Sequence, residues 1–357
     1  VPVTAALRTT RRVTAAALPV AIAAAAGLAA AACGAPDVVG SASASQPAMA
    51  AGASSPAKAS PSAGQPLAPL TGLPASSALA AARPAVALVL AGDHLRGLTS
   101  ADVVFEEITS PIRYIAVFQS REATAVGPVT STRPTDGQVL SVLRAAVGYA
   151  GGTAGFIDVL DATKIVDMGY AARSSLYQQS SAGLVASTQA FERAAHSAAP
   201  PPLFPYRGEG IGTGHTLATA GVWRPSSVRV HLPGLGTQRW QFDSRTDRWV
   251  QVSGGPRVSV ANLVVQMVPY KEVFLSHKEG LTVPSARVIG TGRAVVATGL
   301  AGTADTGSRG LAADATWSKL TLGDVTNYLD KNGFAMNFAP GPTWIILAPP
   351  GTRVSSS

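Results

Sequence analysis

Acid–base chemistry and anion binding both have candidate residues in the first half of this 357-residue chain. Asp102 and Glu106 flank the apolar stretch Val103-Val104-Phe105. Side chains four apart on a strand point the same way, so the two carboxylates share a face. At a rise of about 3.3 Å per residue they stand about 13 Å apart. That is wider than the roughly 5.5 or 9.5 Å of the two glycosidase arrangements. Each acid therefore needs a partner of its own, whether a reacting group, an arginine or the amides of a turn. Farther on, Thr130-Ser131-Thr132-Arg133-Pro134-Thr135-Asp136 sets three hydroxyls beside a guanidinium, with an acid at the start of a helix. An arginine fork among hydroxyls suits a carboxylate or phosphate. Ser131 has no base near it to make it a nucleophile. The plainer alternative is a structural loop with Asp136 as helix N-cap. Arg113 opens an apolar run, where an ion pair is the default role. Asp102, Glu106, Arg113, Ser131, Arg133 and Asp136 are accordingly the candidate ligand-binding residues.

Other motifs carry less. Ser55-Pro56-Ala57-Lys58 matches Ser-x-x-Lys, but that chemistry needs a rigid helix, which a Pro-containing Ala/Ser stretch does not supply. Gly210-Ile211-Gly212-Thr213-Gly214 has the wrong spacing for a nucleotide loop and no strand before it. The histidines, His94, His196, His215, His231 and His277, form no i,i+4 pair. No metal site and no cofactor are expected.

The single cysteine has a chemistry of its own. Arg8, Arg11 and Arg12 precede an uncharged run over 13–32 that ends Leu28-Ala29-Ala30-Ala31-Ala32-Cys33. A positive start, an apolar core and small residues before a cut make an export signal, and a thiol directly after the cut is where a bacterial lipoprotein is acylated. The branched aliphatic residue usual three places before that thiol is here Ala30, with Leu28 two places earlier. An uncleaved anchor is the first alternative, since about twenty apolar residues span a bilayer; free secretion is the second. One acyl chain, such as palmitate, holds a protein only marginally. A diacylglycerol thioether on Cys33 meets the need for more. The expectation is a lipid anchor on the extracytoplasmic face of the cell membrane.

Charge and composition fit that setting. The formal net charge is +8 and the pI about 9.9. Loss of the signal removes three arginines and no acid, leaving the mature 325 residues near +5. A mild positive balance favours anionic neighbours such as head groups or acidic wall polymers. A cell-wall polymer or another envelope protein is the expected partner. Nucleic acid is not, because no basic run alternates with aromatics. With its cysteine acylated, the chain has no disulfide to staple it. The preference for Ala, and for Arg over Lys, points to a high-GC, actinobacterial genome.

The elements that must position these residues follow from periodicity. Residues 1–32 are the signal and 33–66 an Ala/Ser/Gly/Pro stalk too poor in apolar surface to order itself. A mixed α/β domain is expected over 67–218, a β-rich domain over 219–351 and a tail over 352–357, together an α+β protein. Strands are predicted at 86–90, 101–106, 113–119 and 145–150, and helices at 137–143, 156–160 and 187–195, the last capped by Ser187. Past the breakers of 200–214, strands are predicted at 227–232, 239–242, 249–252, 258–269, 286–289, 293–297 and 344–348. One helical stretch, 322–329, interrupts them.

Several blocks resemble a known family. Pro69-Leu70-Thr71-Gly72-Leu73-Pro74, Arg83-Pro84, Ala101-Asp102-Val103-Val104-Phe105-Glu106, Val126-Gly127-Pro128-Val129 through Arg133-Pro134, and Gly151-Gly152 occur in order. Asn262-Leu263-Val264-Val265-Gln266 and Pro340-Gly341-Pro342-Thr343-Trp344-Ile345 complete the set. Together they resemble, over about 70–348, the YerB-type lipoproteins that carry the two-part domain of unknown function 3048. The resemblance implies an acylated, outward-facing envelope protein. This chain departs from it at Thr130, where the family tends to have arginine, and at Tyr149, where it tends to have histidine. Ser181-Ala182-Gly183 replaces a Pro-His-Asn run. A family site built on those groups is depleted here, which favours an accessory or binding role. The alternative is a hydrolase or transferase of wall polysaccharide or peptidoglycan, with Asp102 or Glu106 as general acid lining a cleft. A transporter's solute-binding protein would need two similar lobes around a cleft, which the strand-rich second half argues against.

Overall fold

The computed structural model of the chain describes residues 64–207, 222–276, 280–299 and 309–357. The expected signal, Cys33, the stalk up to 63 and Ser55-Pro56-Ala57-Lys58 lie outside them, as do Gly210-Ile211-Gly212-Thr213-Gly214, His215 and His277.

The first half supplies β1 (Val86–Ala91), β2 (Val103–Glu107), β3 (Arg113–Phe118), β4 (Ala146–Gly148) and β5 (Val166–Asp167), then the hairpin of β6 (Tyr177–Ser180) and β7 (Gly183–Ala186). The second half opens with β8 (Val222–Trp223), β9 (Ser227–Leu232), β10 (Gly236–Asp243), β11 (Arg248–Ser253) and β12 (Ser259–Val260). It continues with β13 (Asn262–Met267), β14 (Tyr270–Ser276), β15 (Leu281–Ala286) and β16 (Gly290–Thr298). β17 (Leu311–Lys319), β18 (Asn327–Leu329), β19 (Thr343–Ala348) and β20 (Arg353–Ser356) close it.

One eleven-stranded sheet draws on both halves, in the order β18-β17-β16-β13-β19-β2-β3-β1-β4-β5 with β8 beside β17. β19 is the joint. It runs parallel to β13 on one side and to β2 on the other, and all six of its residues are buried. A strand covered on both faces must be apolar throughout, which Trp344-Ile345-Ile346-Leu347 provides. By contrast β9 alternates buried Val228, Val230 and Leu232 with outward Arg229 and His231, as a strand with one wet face does. It belongs to a second, five-stranded sheet, β12-β11-β10-β9-β20.

Three layers result. On one face of the long sheet Leu88, Phe118 and Trp344 pack with Val230, Trp240 and Trp249 of the short sheet. On the other, Val89, Ile115 and Ile345 pack with Val139 and Leu140 of helix Pro134–Leu140, Leu160 of helix Ala154–Asp161, and Phe204. The first half mixes helices and strands and the second is mostly antiparallel, the α+β arrangement expected from sequence.

Three local expectations differ. Residues 322–329 form a turn leading into β18, not a helix: the Asp324 carboxylate accepts from the Thr321 N–H at 2.7 Å, and the Lys319 ammonium donates to the carbonyls of Leu322 and Asp324. Such side-chain bonds offer the backbone an alternative to helix. The strand expected at 286–289 lies earlier, as β15 paired with β14. The expected tail contributes β20, antiparallel to β9, and the Ser226 and Ser227 N–H groups donate to the Ser357 carbonyl. No helix among the described residues is long and apolar enough to cross a membrane.

Candidate functional site

Successive side chains of a strand face opposite ways, so Glu106 and Glu107 serve different layers. Glu107 lies opposite Arg113 in the β2–β3 ladder, on the helix side. Both are buried, and the Arg113 guanidinium donates to Glu107, to Asp136 Oδ2 at 2.8 Å and to the Ser131 carbonyl at 2.9 Å. Asp136 also accepts from the Thr132 hydroxyl at 3.0 Å and the Arg133 N–H at 2.9 Å. It is therefore the third residue of its helix, reaching back to the cap at Arg133, and not the N-cap itself. Burial pushes its carboxyl upward, against the pull of Arg113. Glu107 takes further bonds from the Thr135 hydroxyl at 2.5 Å and the Ala286 N–H at 3.1 Å. This network clamps β2, β3, the helix and β15 together. Arg133 is half-buried at its edge and donates to the Pro284 carbonyl at 3.4 Å, while Ser131 is exposed.

Glu106 is 0 % exposed on the opposite face of the sheet. It accepts from the Trp344 indole N–H at 2.7 Å and from the Gln238 amide at 2.5 Å. Burial pushes its carboxyl up to about 7, with the two hydrogen bonds opposing. Gln238 belongs to β10, so Glu106 pins the two sheets to each other. Asp102, also 0 % exposed, accepts from the N–H groups of Gln119 and Ser120, each at 2.6 Å, and from the Ser120 hydroxyl at 2.5 Å. Its role is to hold the turn after β3. Neither acid lines a cleft, which removes the geometric premise for general-acid catalysis by them. Of the six sequence candidates, Arg113 and Asp136 come into contact with each other, Ser131 and Arg133 flank them, and Asp102 and Glu106 lie elsewhere.

The turn held by Asp102 borders open space. A cavity of about 580 Å³ is walled by Thr71, Pro74, Ser76, Thr99, Ser120, Arg121, Arg248, Ser259 and Pro342 among others, with no carboxylate in its wall. Arg121 enters it from that turn, its guanidinium donating to the Thr99 carbonyl at 3.3 Å. Arg248 enters from the start of β11. Its guanidinium donates no hydrogen bond to a described residue. Burial lowers its pKa, the charge on Arg121 adds to the effect, and Asp247 opposes it. Pro342 adds to the wall, and the preceding Gly341 N–H donates to the Thr71 carbonyl at 2.7 Å. Gly341 has φ +139°, and a Cβ there would lie 2.7 Å from that of Ala261 and 3.4 Å from Arg248 Nη1. The positive φ and the closeness of Ala261 together require glycine there. Two arginines thus face one cavity whose wall holds no carboxylate, with Asp247 acting on Arg248 and Asp102 on Arg121 from outside that wall. Sequence reasoning missed Arg121, Arg248 and Glu107. The doublet Glu106-Glu107 was a usable signal, since both cannot share a face; the two arginines are too far apart in sequence to have given one.

Among the described residues, no group of histidine, cysteine or acidic side chains is placed to hold a metal ion.

This architecture defines an α+β class in which two halves of a chain complete one long mixed sheet. The chain belongs to the DUF3048 family: the N-terminal domain of that protein of unknown function matches residues 70–205 and its C-terminal domain residues 228–345. The crystal structure of the YerB protein from Bacillus subtilis shares the fold, with a TM-score of 0.61 and 19% identity over 81% of this chain and 99% of that one. No curated protein matches the chain in sequence. Blocks that carry the family resemblance wall the cavity, Thr71, Leu73 and Pro74 from the first and Pro342 from the last. Thr130, Tyr149 and Ser181-Ala182-Gly183 do not line it.

Proposed function

We propose that this chain is a lipid-anchored protein of the extracytoplasmic cell envelope that binds an anionic ligand between Arg121 and Arg248. The observation that carries the binding role is the pairing of these guanidiniums across a cavity of about 580 Å³ with no acid in its wall. That size suits a small molecule or one segment of a polymer. A role in catalysis has less support, because the buried acids are bonded within the fold. Support for the anchor lies in the sequence: Arg8, Arg11 and Arg12, the uncharged run, and Ala30-Ala31-Ala32-Cys33. A membrane tether and a mildly basic body place the cavity among acidic head groups and wall polymers.

Two measurements test the two parts. Cell fractionation should find the chain in the membrane and the Cys33→Ala variant released from it; a soluble, unmodified wild-type chain would refute the anchor. Co-sedimentation with purified wall material should be saturable and should fall when Arg121 and Arg248 are both changed to Ala.

A further inference from the structure

Thr99 lines a second cavity as well, of about 460 Å³, walled by Asp93, Leu95, Tyr114, Gly255, Pro256, Arg257 and Val258 among others. Val258 faces this cavity and Ser259 the first, so one short stretch of chain passes both. We propose that the two are consecutive subsites of one groove for an extended anionic polysaccharide. The proposal rests on the anion-binding reading above and adds the class of ligand.

Three features favour a chain of charged sugars over a single small anion. Charge recurs along the groove: Arg121 and Arg248 in the first subsite, Arg257 in the second, against the one acid Asp93. The Arg257 guanidinium is exposed and donates no hydrogen bond to a described residue. Between the charges the walls suit sugars. The Ser76, Thr99 and Ser259 hydroxyls can meet sugar hydroxyls, and Pro74 and Pro256 offer flat apolar faces. Finally, both polar atoms of the buried Gln251 amide lack a partner. That amide lies directly behind Gly255, where a Cβ would come within 2.2 Å of Nε2. A buried amide without partners costs stability, and this one sits against Gly255 in the wall of the second subsite.

The test titrates the full chain carrying Cys33→Ala, at low ionic strength. Galacturonate and oligogalacturonates of increasing length form one arm, mannose 6-phosphate and phosphodiester-linked oligomannosyl phosphates the other. Affinity should climb with length in at least one arm and exceed the monomer's by on the order of 100-fold, as linked subsites do. The arm that climbs identifies the charge carrier as carboxylate or phosphodiester. Arg257→Ala should abolish the gain with length while monomer affinity stays; Arg121→Ala with Arg248→Ala should abolish both, with melting temperatures unchanged. Monomer binding without a length effect overturns the groove and leaves the anion site standing. An oligonucleotide of equal charge binding as tightly overturns the polysaccharide. Failure of every anion to bind overturns both readings.

Discussion

Glu106 carries a titration that the fold must respond to. Its carboxyl lies near 4.5 in the unfolded chain and about 7 in the fold. Between those values the native state keeps a proton that the unfolded chain has released. Its contribution to stability is therefore complete below about pH 4.5 and lost as pH rises through about 7. The difference amounts to about 3 kcal/mol. Denaturant midpoints should fall between about pH 5 and about pH 8, and Glu106→Gln should flatten that fall. A glutamine there still accepts from Trp344 and donates to a turned Gln238. Arg113 presents the opposite case, a cation holding two buried acids. Arg113→Met strands Glu107 and Asp136 without a counter-charge and should cost about 3–5 kcal/mol, read as the loss of midpoint in urea. Exposed Ser131 should tolerate alanine with no measurable change.

At the scale of elements, the turn after β3 links fold to site. Asp102 takes three hydrogen bonds from Gln119 and Ser120, and Arg121 follows directly. Asp102→Ala leaves the Gln119 and Ser120 N–H groups without their acceptor, at a cost of about 1–3 kcal/mol. Anion affinity should drop with it, because Arg121 loses its fixed approach; unchanged affinity would show that the turn does not position the arginine. Strands were legible wherever residues were continuously apolar or strictly alternating, as in β1, β3, β9 and β19. β17 was not, because Leu311-Ala312-Ala313-Asp314-Ala315 reads as helix former as much as strand, and its place is set by pairing with β16. The 322–329 stretch misled for a related reason: its apolar spacing looks helical, but Thr321, Gly323 and Asp324 close a turn that spacing does not report. Site residues were harder still. Asp102 and Glu106 stand out in sequence as acids in an apolar strand, yet such acids are tolerated there only when fully bonded. Arg121 and Arg248 are ordinary surface-type arginines until β3 and β11 bring them to one cavity.

For the molecule as a whole, β19 matters most. Its parallel neighbours β13 and β2 come from different halves, so neither half has a complete sheet alone. A fragment limited to residues 70–205 should expose the β2 edge and aggregate or stay unfolded, while the whole chain should unfold in one cooperative transition by circular dichroism. Two separate transitions would contradict a shared core. The same joint carries Pro342 into the cavity lined by Arg121 and Arg248, so that cavity is complete only once both halves have joined.

The central claim is that Arg121 and Arg248 hold an anion. Calorimetric titration of inorganic phosphate and glycerol phosphate into wild type and the single-alanine variants reads it most directly. Binding should be saturable and weaken with added salt. Each arginine change should cost at least about tenfold, or about 1.4 kcal/mol, and Arg133→Ala should leave affinity unchanged. Equal binding by wild type and the Arg121→Ala, Arg248→Ala double variant would contradict the account, as would a loss seen only with Arg133→Ala.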